Sequence, residues 1–368
     1  MKSRRMYSMT VITVALCCTI VPDFTARADE PQEHRVRARE LGIVIGSYPT
    51  GPLNAITDVA GVKVGHTTVI TGEGPLKPGE GPARTGVTVV IPRDDVWHKK
   101  VPAGSFVLNG TGEMTGLAWV AESGFLEYPI ALTNTLNVPR VANGVMSWMI
   151  KQYPAIGITD DTLTPVVAEC DDSRLNDSQG RHVSEQDVIA ALDGASTGPV
   201  KEGSVGAGTG MVSYGFKGGI GSASRRLPQK EGGYTVGILV NANHGRRPEL
   251  VVAGVPVGRI YEATGLLPQE AKPGMGEGSI IIVVATDAPL LPHLVAPCQH
   301  QAAVAPCATT SSASPNKSGN AGTEVVVKSG KSPCALPLKR IGDTVLAGSP
   351  PGPTGGLDIR GVPPLSHG

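Results

Sequence analysis

The sequence predicts a layered α/β (α+β) sandwich from about residue 41 to residue 294, followed by a tail of different character. Three observations carry this expectation. Short β-branched runs recur through the first part, and capped helical segments fall between them. The third is composition: 48 Gly and 31 Pro with only 4% aromatics call for many turns around aliphatic strands. A chain of 368 residues is long enough to bury a substantial core.

Taken in chain order, the N-terminus reads as an export leader. Lys2, Arg4 and Arg5 precede the apolar run "MTVITVALCCTIV", and Ala26-Arg27-Ala28 supplies small residues for cleavage after Ala28. The apolar run is too short for a good spanning helix, so a periplasmic or secreted chain beginning at Asp29 is expected, with no membrane attachment after cleavage; an uncleaved anchor is the alternative. Strands are expected at "GVTVVIP" (86–92), "TPVVAE" (164–169), "YTVGILVNAN" (234–243) and "SIIIVVAT" (279–286), apolar enough to be covered on both faces. Helices are expected at 113–124, ending on Gly124, at 140–153 after Pro139, and after Ser184, which with Asp187 makes a capping box.

The tail, 295–368, is rich in Gly and Pro and contains no Phe, Trp or Tyr. It reads as irregular, poorly ordered or loosely attached, with one plausible strand at "TEVVV" (323–327). Such composition fits either a divergent tail or a shifted reading frame.

Several function classes fall away. Lys and Arg total 32 and so do Asp and Glu, and no basic, aromatic-laced patch occurs, so nucleic acid is not an expected partner. The eight His include no His-x-x-x-His pair, so no metal site is expected. "GAGTGM" (206–211) lacks the third glycine of a dinucleotide fingerprint, "NGTGEMTG" (109–116) lacks the end of a phosphate loop, and there is no Gly-x-Ser-x-Gly elbow. No cofactor is expected. Removing the leader removes Cys17 and Cys18; Cys170, Cys298, Cys307 and Cys334 form no Cys-x-x-Cys and receive no chemical role.

Gly278-Ser279, in "KPGMGEGSIIIVVATDAPLLPHL", is the junction with chemical potential. A serine hydroxyl needs a base, and no histidine lies nearby in sequence. Cleavage before Ser279 would free an α-amine, whose pKa of roughly 7.7–8.0 suits a general base near neutral pH. By itself the local sequence favours a plainer reading, a loop entering a buried strand.

Family resemblance changes that balance. "SIIIVVATDAPLLPH" (279–293) resembles the start of the small subunit of self-cleaving serine aminopeptidases, the β-peptidyl aminopeptidases and L-aminopeptidase/D-alanine esterase-amidases. "GSYPTGPLNAITDVAGVKVGHTTV" (46–69), "ARTGVTVVIPR" (83–93), "NGTGEMTGL" (109–117), "ALTNTLNV" (131–138), "PVVAECDDSRLND" (165–177), "GMVSYGFKGGIGSASR" (210–225) and "VAGVPVGR" (252–259) resemble the family in the same order. The resemblance implies a four-layer αββα sandwich of N-terminal-nucleophile-like type. It also implies one precursor cut into a large subunit (29–278) and a small one (279–368), commonly assembled as an oligomer of such heterodimers.

The resemblance further implies roles for individual residues. Ser279 is the nucleophile, Asn243 the side-chain amide at the oxyanion with Asn241 as competitor, and Glu169 the acid that meets the substrate's free amino group. At Arg174 relatives often carry an aromatic residue, and Lys217 matches the family with a structural role. After the Leu-Leu-Pro-His motif the expected second serine and acid are missing; Ser318-Gly319-Asn320 is a poor echo and receives no role. The implied activity is release of N-terminal residues from short peptides or amides, β-amino acids being favoured. The alternatives are a D-alanyl aminopeptidase, amidase or esterase, or an unprocessed inactive relative whose tail has removed activity.

Overall fold

The computed structural model describes residues 36–107, 112–265 and 278–290, with the backbone of two further strands at 324–329 and 331–332. The leader, Cys298, Cys307, Cys334, Ser318, Asn320 and most of the tail lie outside the described residues. The chain divides into two units; residues 36–43 of the first form a turn closed by Ile43 N–H on the Ala38 carbonyl.

All described strands and helices belong to the second unit, which begins at Val44. In chain order the strands are β1 (Lys63–Thr71), β2 (Ala83–Ile91), β3 (Val101–Val107), β4 (Phe125–Leu126), β5 (Ile130–Thr133), β6 (Val166–Glu169), β7 (Val212–Ser213), β8 (Phe216–Lys217), β9 (Gly219–Arg226), β10 (Thr235–Asn243), β11 (Gly278–Thr286), β12 (Glu324–Ser329) and β13 (Lys331–Ser332). The helices are α1 (Leu117–Ser123), α2 (Val138–Gln152), α3 (Glu185–Asp193) and α4 (Val257–Thr264).

One sheet runs β1-β2-β5-β6, with β5 and β6 parallel. A larger one runs β4-β3-β12-β11-β10-β9, with β13 also paired to β11, and β7 and β8 form a separate two-stranded antiparallel sheet. Helices α2 and α3 pack on the first sheet, and the second sheet covers its other side, an α+β sandwich as expected.

Local chemistry explains the helices. The α3 box is complete: Ser184 Oγ accepts from Asp187 N–H, and Asp187 Oδ2 accepts from Ser184 N–H. Helix α1 stops at Gly124, whose φ of 73° is a left-handed turn, with its N–H on the Val120 carbonyl. Helix α2 starts at Val138, earlier than expected, because proline is tolerated in a first turn whose N–H groups have no intrahelical acceptor. Its buried stripe, Val138, Val141, Val145 and Met149, keeps helical spacing. Between these residues Gly144 lets α3 approach: a Cβ there would meet Val188 Cβ at 2.7 Å.

β2 and β6 are buried along nearly their whole length. β10 and β11 depart from the expectation of cover on both faces: Ser279, Ile281, Val283 and Ala285 point inward and are buried, while Ile280, Ile282 and Val284 are only half-buried. Burying side chains such as Leu239, Ile281 and Val283 contributes about 1.5–3 kcal/mol each. The strand expected at 323–327 is β12. It lies between β3, to which it is parallel, and β11, to which it is antiparallel. The "GAGTGM" stretch contains a tight helical turn at Gly206–Gly208 packed against β2 and β9.

Candidate active site

Ser279 owes its surroundings to the β10–β11 register. In this antiparallel pair Asn243 lies opposite Ser279, and Asn241 opposite Ile281. Asn243 Nδ2 is 3.2 Å from Ser279 Oγ and 2.7 Å from the Asp171 carbonyl oxygen, while its Oδ1 accepts from Val212 N–H at 3.0 Å. The two backbone partners fix the amide's orientation, since an N–H can only donate and a carbonyl can only accept. The group facing Ser279 is therefore an N–H donor.

Asn241, the competing residue, points to the same face two residues earlier, but it is fully buried and its Nδ2 lies 3.5 Å from the Ala207 carbonyl. It braces the inter-sheet layer and has no bond to Ser279.

Ser279 is only 2% exposed. Its strand begins at Gly278 and not at Ser279, because both residues pair with β13 as Gly278–Ser332 and Ser279–Lys331. The close packing accounts for the glycine. A Cβ at 278 would sit 2.5 Å from His244 Cα and 2.7 Å from the Asn243 carbonyl oxygen.

Among the described residues no imidazole bonds to Ser279. His244, the neighbour of Asn243, packs edge-on against Tyr214 with its Nδ1 unpartnered, and burial holds its pKa below the usual imidazole range. A second side chain within hydrogen-bonding reach of Ser279 is Cys170, a free, fully buried cysteine whose Sγ is 3.8 Å from the Asn241 carbonyl oxygen. Burial pushes its thiol far above the ordinary range, so it stays protonated and is not itself a nucleophile.

Glu169 ends β6 and is 1% exposed. Its carboxylate is already oriented: Oε1 accepts from Glu113 N–H at 3.3 Å and Oε2 from Thr135 Oγ1 at 2.5 Å. An ionised carboxylate fixed in this way can only accept hydrogen bonds. Arg174 lies exposed on the turn closed by Leu175 N–H on the Asp172 carbonyl. Lys217 Nζ donates to the Met211 carbonyl at 2.8 Å, a structural contact.

Sequence reasoning missed Thr135, Cys170 and the Asp171 carbonyl. Thr135 and Asp171 lie in loops leaving parallel β5 and β6, an adjacency that spacing along the chain does not reveal. Cys170 carried a usable signal, one cysteine immediately after the acid that ends a buried strand.

Comparison with known proteins bears on the family and the fold. Residues 54–329 match the model of peptidase family S58. Over 265 residues the chain is 50% identical to a beta-peptidyl aminopeptidase of Sphingosinicella xenopeptidilytica, covering 70% of this chain and 65% of that protein, just under two thirds of its length. The structure resembles a beta-aminopeptidase of Burkholderia sp., with TM-score 0.66 and 39% identity over 89% of this chain and 84% of the other. It also resembles the L-aminopeptidase D-Ala-esterase/amidase of Ochrobactrum anthropi, a serine aminopeptidase with a variant of the Ntn hydrolase fold, at TM-score 0.64 and 38% identity over 80% and 78% of the two chains. The chain belongs to peptidase family S58. The family match runs through β12 to residue 329, well past the Leu-Leu-Pro-His motif where recognisable sequence motifs end.

Proposed function

We propose that this chain is a self-processing serine aminopeptidase that cleaves itself between Gly278 and Ser279 and then releases N-terminal residues from short peptides and amides. One observation carries the reading: the Asn243 amide, locked by two backbone partners, aims an N–H at Ser279 Oγ at a glycyl-seryl junction. A donor held there is suited to charge developing on a carbonyl oxygen under attack.

In self-cleavage, Ser279 Oγ attacks the Gly278 carbonyl carbon and the Gly278–Ser279 C–N bond breaks. The hydroxyl proton ends on the departing nitrogen, leaving an ester. Water then splits the ester into a Gly278 carboxylate and a Ser279 with both free hydroxyl and free amine. In turnover the amine accepts the hydroxyl proton as Oγ attacks the substrate carbonyl. That proton goes to the leaving amine, and water, deprotonated by the same α-amine, releases the acyl group. Asn243 stabilises the oxyanion in both half-reactions, and Glu169 binds the substrate's free ammonium.

The products are a large chain ending at Gly278 and a small chain beginning at Ser279, held together by the β10–β11 pairing and assembled as an oligomer of heterodimers. The Sphingosinicella and Burkholderia relatives, a beta-peptidyl aminopeptidase and a beta-aminopeptidase, support β-amino acids as the released residues; β-alanyl and β-homo residues are the ones proposed for this chain. The leader directs the enzyme to the periplasm or the medium. A D-alanyl preference is the second reading, supported by the Ochrobactrum likeness. Parallel assays of β-alanyl and D-alanyl p-nitroanilide separate them: faster β-alanyl turnover is expected, and a D-alanyl preference overturns the substrate assignment.

A further inference from the structure

We propose that Asp172 and Asn134 form a positioning pair that couples the oxyanion donor Asn243 to the amine receptor Glu169. The inference rests on the roles proposed above for those two residues, and its own evidence is a buried polar cluster that those roles do not use.

Asp172 is 1% exposed, yet among the described residues no cation pairs with it. Its carboxylate is held by neutral donors alone. Asn134 Nδ2 lies 3.0 Å from Oδ1 and 3.1 Å from Oδ2, and Asn176 Nδ2 at 2.9 Å and Ser178 Oγ at 3.1 Å also reach Oδ1. Asn134 is equally buried, and its Oδ1 accepts from the backbone N–H and the Nδ2 of Asn137, which fixes which end of its amide meets Asp172. A buried carboxylate without a counter-ion is costly, and burial accordingly holds the Asp172 acid above its usual range. A well-packed apolar pair would hold two loops together at lower cost. Such a cost is understandable where geometry is what the pair secures.

The geometry concerned is that of the site. Asp172 follows Asp171, whose carbonyl accepts from Asn243 Nδ2, and Asn134 precedes Thr135, whose hydroxyl donates to Glu169 Oε2. The two loops leave adjacent parallel strands, β5 and β6, and the Asp172–Asn134 bonds clamp them to each other. One clamp thus sets both the donor that faces Ser279 and the carboxylate that receives the amine. Small displacements of either group are expected to lower turnover steeply.

Hydrogen exchange on the full chain tests the clamp without requiring activity. Val212 N–H reports on Asn243 Oδ1, and Glu113 N–H reports on Glu169 Oε1. In Asp172→Asn a donor replaces one acceptor oxygen, and both amides are expected to exchange about tenfold faster, the loss of roughly one hydrogen bond. The amides of Val188–Leu192 in α3 should be unchanged. No change at Val212 and Glu113, change at only one, or equal acceleration in α3 overturns the proposal. If Asp172→Asn does not fold, Ser178→Ala removes one donor at the cluster's edge and should accelerate the same two amides about threefold; no acceleration counts against the clamp.

A kinetic arm separates this inference from the reading beneath it. Asp172→Asn should lower kcat and also shrink the preference for β-alanyl over propionyl p-nitroanilide, which lacks the amine, by about tenfold. A general loss that lowers both substrates alike contradicts coupling. If Asn243→Ala leaves kcat unchanged and Glu169→Gln leaves the preference unchanged, the site roles fail, whereas the exchange result still judges the clamp.

Discussion

Replacing Asn243 with Ala and, separately, with Asp probes the proposed oxyanion donor in two ways. Asn243→Ala deletes the N–H that lies 3.2 Å from Ser279 Oγ and unpairs Val212 N–H and the Asp171 carbonyl. Removing one such preorganised donor costs about 2.7–4 kcal/mol in the transition state, a 10²–10³-fold loss in kcat, with KM little changed. Asn243→Asp keeps the shape and the bond from Val212 N–H, but it turns a donor toward Ser279 and the Asp171 carbonyl into an acceptor. It adds a negative charge where negative charge must develop, so its loss should exceed that of the alanine variant.

The stability cost is smaller, because Asn243 is only half-buried and water can reach the unpaired groups. Thermal unfolding should therefore show that both variants stay folded at the assay temperature. Initial rates of p-nitroaniline release from the β-alanyl substrate give kcat and KM, and a gel time course gives self-cleavage. Retention of kcat within threefold in Asn243→Ala, or a milder effect from Asp than from Ala, would refute the assignment of a donor role.

Gly278→Ala places a methyl 2.5 Å from His244 Cα, which must push β10 and β11 apart at the register that sets Asn243 on Ser279; intact precursor should accumulate, with cleavage slowed at least about tenfold on a gel. Thr135→Val removes the hydroxyl donated to Glu169 and should raise KM for amine-bearing substrates more than it lowers kcat, whereas Glu169→Gln should abolish the preference for them. His66 is lowered from 6.5 to about 4, first by burial and then by Lys201, so the folded state resists a proton that the unfolded chain accepts. Stability should then fall as pH drops from about 6.5 to about 4, by up to about 3 kcal/mol from this group. Asp172, raised by burial, acts in the opposite sense, so the His66 contribution is the difference between wild type and His66→Asn in urea unfolding at pH 7 and 4.5; equal pH dependence in both chains would count against it.

Local patterns made the scaffold legible. The Ser184/Asp187 box marked α3, Gly124 marked the end of α1, and the apolar runs located β2, β6, β10 and β11 because each signal acts within a few residues. What could not be read is non-local. Asn241 and Asn243 share a strand face, so only the pairing of β10 with β11 decides which one meets Ser279. The Asp172–Asn134 clamp joins two loops through the parallel pairing of β5 and β6, which leaves no mark in either loop alone. The position of β12 was equally hidden: "TEVVV" reads as a strand, but nothing in it specifies a place between β3 and β11.

The central claim is that the bond before Ser279 is cut by Ser279 itself, and N-terminal sequencing of the purified, active protein after denaturing electrophoresis tests it most directly. The account predicts two chains, the smaller beginning Ser-Ile-Ile-Ile, and a single uncut chain from Ser279→Ala. One intact chain in an active preparation, or cleavage at Gly278–Ser279 that persists in Ser279→Ala, would contradict it.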